Sequence, residues 1–435
     1  MKLPGAIGGS ALCILSFGCG YSDFRLPELA PAEPQVRYEW EPRDAPVLPH
    51  GGPGEWDSHD ALNPSVVRRG AAYYNFYSGF DGKTWRTILA TSADGLSWKK
   101  EGVVLAPEPL AGEAGYIAAN GSALFDEGEF WYWYQAGPKE TPRLGLARSS
   151  DGRHWRKAQF PVMDYGPRGS WDERGLADPY VIKVGRYFYL FYLGEDRARR
   201  QRLGVARSLN GELWQKLRSN PILELGKYGS FDEMGLGEPA VWIAHGYYWM
   251  LYTGRDAQQN RRLGMARSTD GVRWKKLPAV FQGRQPWDSQ VICDPTIELL
   301  DGRLTVWFGG GDAPSPDENL NGQIGVAVLH AVDGGKMKGW TRTGFQRMYP
   351  PLSRSVGRMA GLENSTRMSR TAPIGTTTKA TSRRPPVETG NPTASFSWPH
   401  RAANSNSKPR PRTRKTPTPK WSLSRARAGA GTAAP

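Results

Sequence analysis

Five short stretches hold a polar side chain in one recurring frame: Asn63 in "NPSVV", Asn120 in "NGSAL", Asp178 in "DPYVI", Glu238 in "EPAVW" and Asp294 in "DPTIEL". A turn element alone has little reason to alternate amide, Asp and Glu at one slot. Two carboxyls of different reach can divide acid–base work, one staying protonated to donate while the other, as an anion, raises its neighbour's pKa or accepts a proton. Asp178 and Glu238 fit such a pair, and Asp294 is a third candidate. Set against this, Asp before Pro often does no more than cap a turn. A second carboxylate stands ahead of the frame: Asp57 in "EWDSHDALN", Asp172 in "SWDERGLAD", Asp232 in "SFDEMGLGE" and Asp288 in "PWDSQVICD".

Residues so far apart can meet only if a repeated architecture brings them together. "SADGLSW", "SSDGRHW", "SLNGELW" and "STDGVRW" end at Trp98, Trp155, Trp214 and Trp274, and a degenerate "DGGKMKGW" ends at Trp340. Each follows a short β-type run such as "LGVARS", and each run follows an aromatic strand such as "RYFYLFYLG". Each repeat therefore holds about four strands joined by Asp-Gly or Asn-Gly turns, with no sustained helical period. Four-stranded units repeated radially are propeller blades, so the chain reads as all-β, a five-bladed β-propeller over residues 56–349. In the "DGxxW" turns Asp closes the turn, Gly accepts positive φ and Trp packs between blades, which leaves them no chemistry. In a propeller the first strand of every blade faces the central channel. The five polar positions should therefore ring one pocket, with Pro tolerated because it opens its strand.

The ends differ from the middle. Residues 1–19, "MKLPGAIGGSALCILSFGC", read as an export signal, too short for a stable membrane anchor. Gly18-Cys19 resembles a lipoprotein cleavage box, so lipidation of Cys19 and plain secretion both stay open; the expected location is outside the cell, periplasmic, or at a bacterial envelope. Residues 20–55 read as a Pro/Glu-rich spacer. Residues 350–435 carry 16 Lys/Arg against 2 Asp/Glu, +14 of the chain's +15, a composition that cannot bury enough apolar surface to order itself. The shift is abrupt, falls where the fifth blade should finish, and would fit a slipped reading frame. The rest is close to neutral, so a nucleic-acid partner loses its footing. Once a signal is removed, Cys293 is the one thiol certain to remain, and no internal disulfide framework is available.

Five blades, Asp-Pro on inner strands and Glu-Pro in the fourth blade resemble the five-bladed propeller glycosidases, the glycoside hydrolase family 43 and 32 group of arabinanases, β-xylosidases, invertases and levansucrases. The resemblance covers about Trp56 to His330. It implies a carbohydrate substrate and, position by position, a tuning role for Asp178 and a general-acid role for Glu238. Blade one has Asn63 where family 43 places its general base, and an amide cannot accept a proton at neutral pH. Inverting hydrolysis needs a protonated carboxyl and an ionised one roughly 6.5–9.5 Å apart. Asp57, Asp60 or Asp294 would have to serve as the base.

Trp56, Trp171, Phe231 and Trp287 occupy equivalent spots and could stack on sugars or simply pack. Arg197 and Arg255 follow the aromatic strands of blades three and four, where they could contact an anionic group. His59 and His154 are isolated, so no zinc site is expected. No cofactor is expected; Ca²⁺ held by the acidic ring is conceivable but not required. "SxDGxxW" also resembles the sialidase Asp-box, but the spacing differs and five blades are counted where six are expected. Three readings follow: an exported inverting glycoside hydrolase, a non-catalytic glycan-binding propeller, and a glycoside phosphorylase, in which phosphate attacks and no base is needed. A monomer is expected in each.

Overall fold

The computed structural model describes residues 20–31, 33–333 and 336–337. The signal segment, Cys19, Trp340 and residues 350–435 lie outside them.

Four blades run in chain order as up-and-down sheets. Blade three is typical: Gly175–Val184, Tyr187–Glu195, Gln201–Ser208 and Gln215–Leu217, each antiparallel to the one before. Blade four repeats it with Gly235–Ala244, Tyr247–Arg255, Arg261–Ser268 and Lys275–Phe281. Blade two begins at Ile117–Asp126, and blade one has its inner strand split into Asp60–Leu62 and Val66–Arg69. The second strands are buried aromatic runs, and Trp133, Trp242, Trp249 and Trp307 are fully enclosed. Neighbouring blades also pair over one or two residues near the axis. Gln201 pairs in parallel with Gly235, Arg261 with Val291 and Trp85 with Ile117, while Leu176 donates to the Pro142 carbonyl.

The Asp-Gly turns do what their chemistry suggests. In the first, Ser92 Oγ accepts the Gly95 N–H at 2.8 Å, and Asp94 accepts those of Leu96 and Ser97 at 2.8 and 2.7 Å. The N–H groups of Ser97 and Leu96 hold the Asp94 carboxyl down to about 2. Trp155, Trp214 and Trp274 close their turns by donating Nε1–H to the carbonyls of Gly152, Gly211 and Gly271.

Two expectations need correction. The segment read as a spacer is part of the propeller. Tyr21–Ser22 adds a parallel strand to the outer edge of blade three, and the Leu26 and Leu29 amides donate to Asp270 and Thr269 in the blade-four turn. Arg37–Pro42 then pairs antiparallel with Gln323–Asp333 and becomes the outer strand of blade five, with Tyr38 and Trp40 buried. Among the described residues, blade five, comprising Val291–Leu300, Arg303–Gly311 and Gln323–Asp333, thus takes its outer strand from the N-terminal side. The reason is topological: a ring closed by a strand from the opposite chain end gains a non-local clasp. The second correction concerns proline. The polar-Pro pairs do not open their strands; they sit at register shifts inside them, between Ala177 and Tyr180, Gly237 and Ala240, and Cys293 and Thr296. Pro is tolerated because a bulge removes the ladder bond it cannot make.

Candidate active site

All five ring residues adopt the left-handed backbone: φ is 47° at Asn63, 49° at Asn120, 49° at Asp178, 47° at Glu238 and 53° at Asp294. Asn and Asp enter this region with modest penalty, whereas a longer side chain pays roughly 1–2 kcal/mol. The bulge and the positive φ together turn each side chain out of its blade and toward the axis. All five line a common cavity of about 260 Å³.

The ring is interlocked from blade to blade. The Asp178 carboxyl lies against the Glu238 backbone, whose N–H favours its ionised form. Asp294 Oδ2 accepts the N–H of Asn63 at 3.2 Å and the thiol of Cys293 at 3.1 Å. The Asn120 amide donates to Ser78 Oγ at 2.8 Å, and that of Asp294 to Thr253 Oγ1 at 3.3 Å. Burial, reinforced by the Glu238 charge, pushes both Asp178 and Asp294 well above the usual carboxylate range. Glu238 Oε2 is buried and has no hydrogen-bond partner in the protein, as is Asn120 Oδ1. A buried acceptor left open toward a cavity is the kind of atom a ligand satisfies.

Arg261 was missed by the sequence reading. It lines the cavity and is 8% exposed. Burial opposes its charge, yet Cys293, Glu238 and Asp294 outweigh that and keep the guanidinium firmly protonated. It supplies the cation that three clustered carboxyls require. The available signal was faint: "RRLG" in blade four against "QRLG" in blade three, where Gln201 holds the equivalent place. Arg255 also lines the cavity, donating to Gln201 Oε1 at 2.7 Å. Burial, with Arg261 beside it, lowers its pKa.

Several candidates lie elsewhere. Asp57 is buried inside blade one, accepting Tyr77 OH at 2.8 Å and Lys100 Nζ at 2.7 Å, and is outside the cavity lining. Glu113–Tyr134–Lys157, Asp172–Tyr192–Lys216 and Asp232–Tyr252–Lys276 repeat this carboxylate–Tyr–Lys triad in blades two to four. The upstream carboxylates of blades one to four therefore staple their blades and are not poised at the axis, while Asp288 caps a turn by accepting the Arg284 and Gln285 N–H groups; the overlooked signal was a Lys two residues after Trp98, Trp155, Trp214 and Trp274. Asp60 is spent on ring closure, accepting the N–H groups of Asn319, Leu320 and Gly322 at 2.7, 2.9 and 2.9 Å. Arg197 is exposed and pairs with Glu173; Arg199 lines the cavity in its stead.

The aromatic platforms divide for a clear reason. The rings of Trp171, Phe231 and Trp287 lie in their own blades against glycine pairs; a Cβ on Gly204, Gly264 or Gly325 would come within 2.5, 2.6 and 2.7 Å of them. In blade one the register partner of Tyr77 is Ile88, where the other blades have these glycines, and the Ile88 side chain fills the slot over Gly79. Trp56 is consequently displaced outward, 53% exposed, with Arg86 5.0 Å from its ring centre.

No three His, Cys, Asp or Glu groups among the described residues are arranged to hold a metal ion.

A family model for the N-terminal domain of family 32 glycosyl hydrolases matches residues 69–221. An uncharacterized protein of Mycobacterium tuberculosis is 25% identical over 229 residues, 49% of this chain and 75% of its own length. A 1,2-β-oligomannan phosphorylase of a Thermoanaerobacter species is 29% identical over 143 residues, covering 29% of this chain and 48% of that one. A solved structure from work on mannoside phosphorylases of family GH130, which contains glycoside hydrolases targeting β-1,2 mannosidic linkages in Candida mannan, superposes with a TM-score of 0.53 at 16% identity. That superposition covers 74% of this chain and 99% of the other. The fold is that of the five-bladed propeller glycosidase superfamily, and the resemblance read from the Asp-Pro and Glu-Pro frames holds at that level.

Proposed function

We propose that the protein cleaves glycosidic bonds in an oligo- or polysaccharide, as a monomer exported from the cell. The observation that carries this reading is the ring itself: three carboxyls from blades three, four and five, the Arg261 guanidinium beside them, and a buried Glu238 oxygen with no protein partner. Glu238 has the longest carboxyl arm of the ring and is the proton donor to the leaving oxygen. Asp178, against the Glu238 backbone, sets its local field. For hydrolysis with inversion the base is Asp294, because Asn63 cannot serve and Asp57 and Asp60 are committed elsewhere. Burial and the Glu238 charge hold a proton on Asp294, so it serves as base in the state where Glu238 carries the proton and Asp294 is ionised.

One observation favours a second reading, phosphorolysis. Blade one offers an amide where a base would stand, and Arg174, Arg199, Arg255 and Lys139 line the same cavity. An incoming phosphate is already a nucleophile, and it would find cations there. The relative named as a 1,2-β-oligomannan phosphorylase points the same way.

The test is a screen of the purified protein against aryl-glycosides and arabino-, xylo-, fructo- and β-1,2-mannooligosaccharides, with and without inorganic phosphate. Free sugar released without phosphate supports hydrolysis, and sugar 1-phosphate supports the second reading. Turnover that survives Glu238→Gln removes the assigned proton donor, and binding without turnover returns the chain to a glycan-binding role.

A further inference from the structure

The connection between the second and third strands of blade five does not behave like its counterparts. In blades three and four the loops 196–200 and 256–260 curl onto their own Asp196 and Asp256, which accept two loop amides each. In blade five, residues 312–322 leave the blade and bond to three others. At its root the Asn319, Leu320 and Gly322 amides are held by Asp60 of blade one. At its crest the Pro316 carbonyl accepts Arg255 at 3.0 Å and Arg261 at 2.7 Å, and the Ser315 carbonyl accepts Arg261 at 3.1 Å, all from blade four. On its far flank Glu318 accepts Lys139 Nζ at 2.7 Å and Tyr116 OH at 2.9 Å from the blade-two side, and Asp317 stands 3.3 Å from Lys139. Pro316 and Asp317 form part of the cavity wall.

We infer that residues 312–322 are a fixed strap that blinds the cavity on one side, so that the site receives the end of a glycan chain and not an internal stretch. The inference rests on the glycan-cleaving reading above. A polysaccharide can be held mid-chain only where a cleft stays open at both ends. Here Pro316 and Asp317 of the strap wall the cavity on that side, and lifting the strap breaks three guanidinium–carbonyl contacts and the Lys139–Glu318 pair together. The cavity, about 260 Å³, lies below the ~300–1,000 Å³ usual for small-molecule sites, which suits a terminal sugar unit. The substrate class is then an oligosaccharide presented by its terminus, shortened stepwise.

Two measurements test this. Cys293 is fully buried and packs in one apolar cluster with Leu320 of the strap, so its alkylation by N-ethylmaleimide, followed by peptide mass spectrometry, reports strap opening without any substrate. Cys293 is expected to be protected in the native protein and to label at least about tenfold faster in the Lys139→Ala/Glu318→Ala variant. Rapid labelling of the native protein, or no difference between the two, overturns the strap. Calorimetric titration with β-1,2-mannooligosaccharides of increasing length should give one affinity per mole of chain ends. Affinity that grows in proportion to chain length overturns the chain-end inference and leaves glycan cleavage standing. Absence of binding to every oligosaccharide of the screen, with Cys293 still protected, overturns the glycan reading and the chain-end inference with it, while the strap survives as a structural feature.

Discussion

Blade one and blade four are cast on the same repeat, and their ring residues share one backbone conformation, φ 47° at both Asn63 and Glu238. Asn is comfortable there; Glu is not. Blade one therefore holds the residue the backbone prefers, and blade four holds one that is harder to fold and has a carboxyl to offer. Strain kept at one repeat and avoided at another is a reason to look for chemistry at the strained one. The outer parts differ in the same sense: Phe231 packs against Gly264, whereas Trp56 is pushed out by Ile88.

Exchanging the ring residues sharpens this contrast most. Glu238→Gln should lower turnover by ~10²–10⁴ without loss of stability. Glu238→Asn, which installs the blade-one residue, should be equally inactive yet melt at higher temperature, by about 1 kcal/mol of stability. Asn63→Ala should act mainly on KM. A lower melting temperature for Glu238→Asn would sink the strain argument.

The staples come next. Lys216 in blade three is 9% exposed against a fully buried Asp172, so Lys216→Ala should cost ~3–5 kcal/mol in denaturant unfolding. Lys100 in blade one is 31% exposed, and its removal should cost distinctly less, about 1 kcal/mol. Equal losses would mean that solvent does not distinguish the two triads.

A smaller effect concerns pH. Asp294 is a carboxyl whose folded pKa is raised, so the folded state binds its proton more tightly than the unfolded chain does. Its contribution to stability is complete below the ordinary carboxylate pKa and is lost as pH rises through the raised value. Asp294→Asn should accordingly gain stability at neutral pH, with the gain vanishing toward pH 4. A variant destabilised at neutral pH would show that its hydrogen bonds to Asn63 and Cys293 outweigh the titration.

Smallest is the Trp56 substitution. Trp56→Ala should change unfolding stability by less than about 0.5 kcal/mol, since the ring packs on no core. The same change at Trp171 leaves a void between Gly194 and Gly204 and should cost several times more.

Much of the architecture was legible because it is written locally and repeated. The Asp-Gly turns, the aromatic second strands and the polar ring positions recur at nearly constant spacing, and each can be recognised from a few adjacent residues. The assignment of Asp57 failed because proximity in sequence to the ring frame says nothing about which side of a bulge a carboxylate faces. The clasp Arg37–Pro42 carries alternating burial in "RYEWEP", but the prolines around it disguise a strand whose partner begins nearly three hundred residues later. Arg261 looked like any loop arginine until blade four placed it beside two carboxyls.

The chain by itself determined the number of blades and the five side chains at the axis, because turn chemistry and strand patterning act over a few residues. Tertiary structure alone decided which carboxylates are staples, which aromatic ring is evicted, how the last blade closes and what spans the cavity. Those outcomes depend on a partner from another blade filling, or failing to fill, a particular space, and no window along the chain contains both sides of that contact.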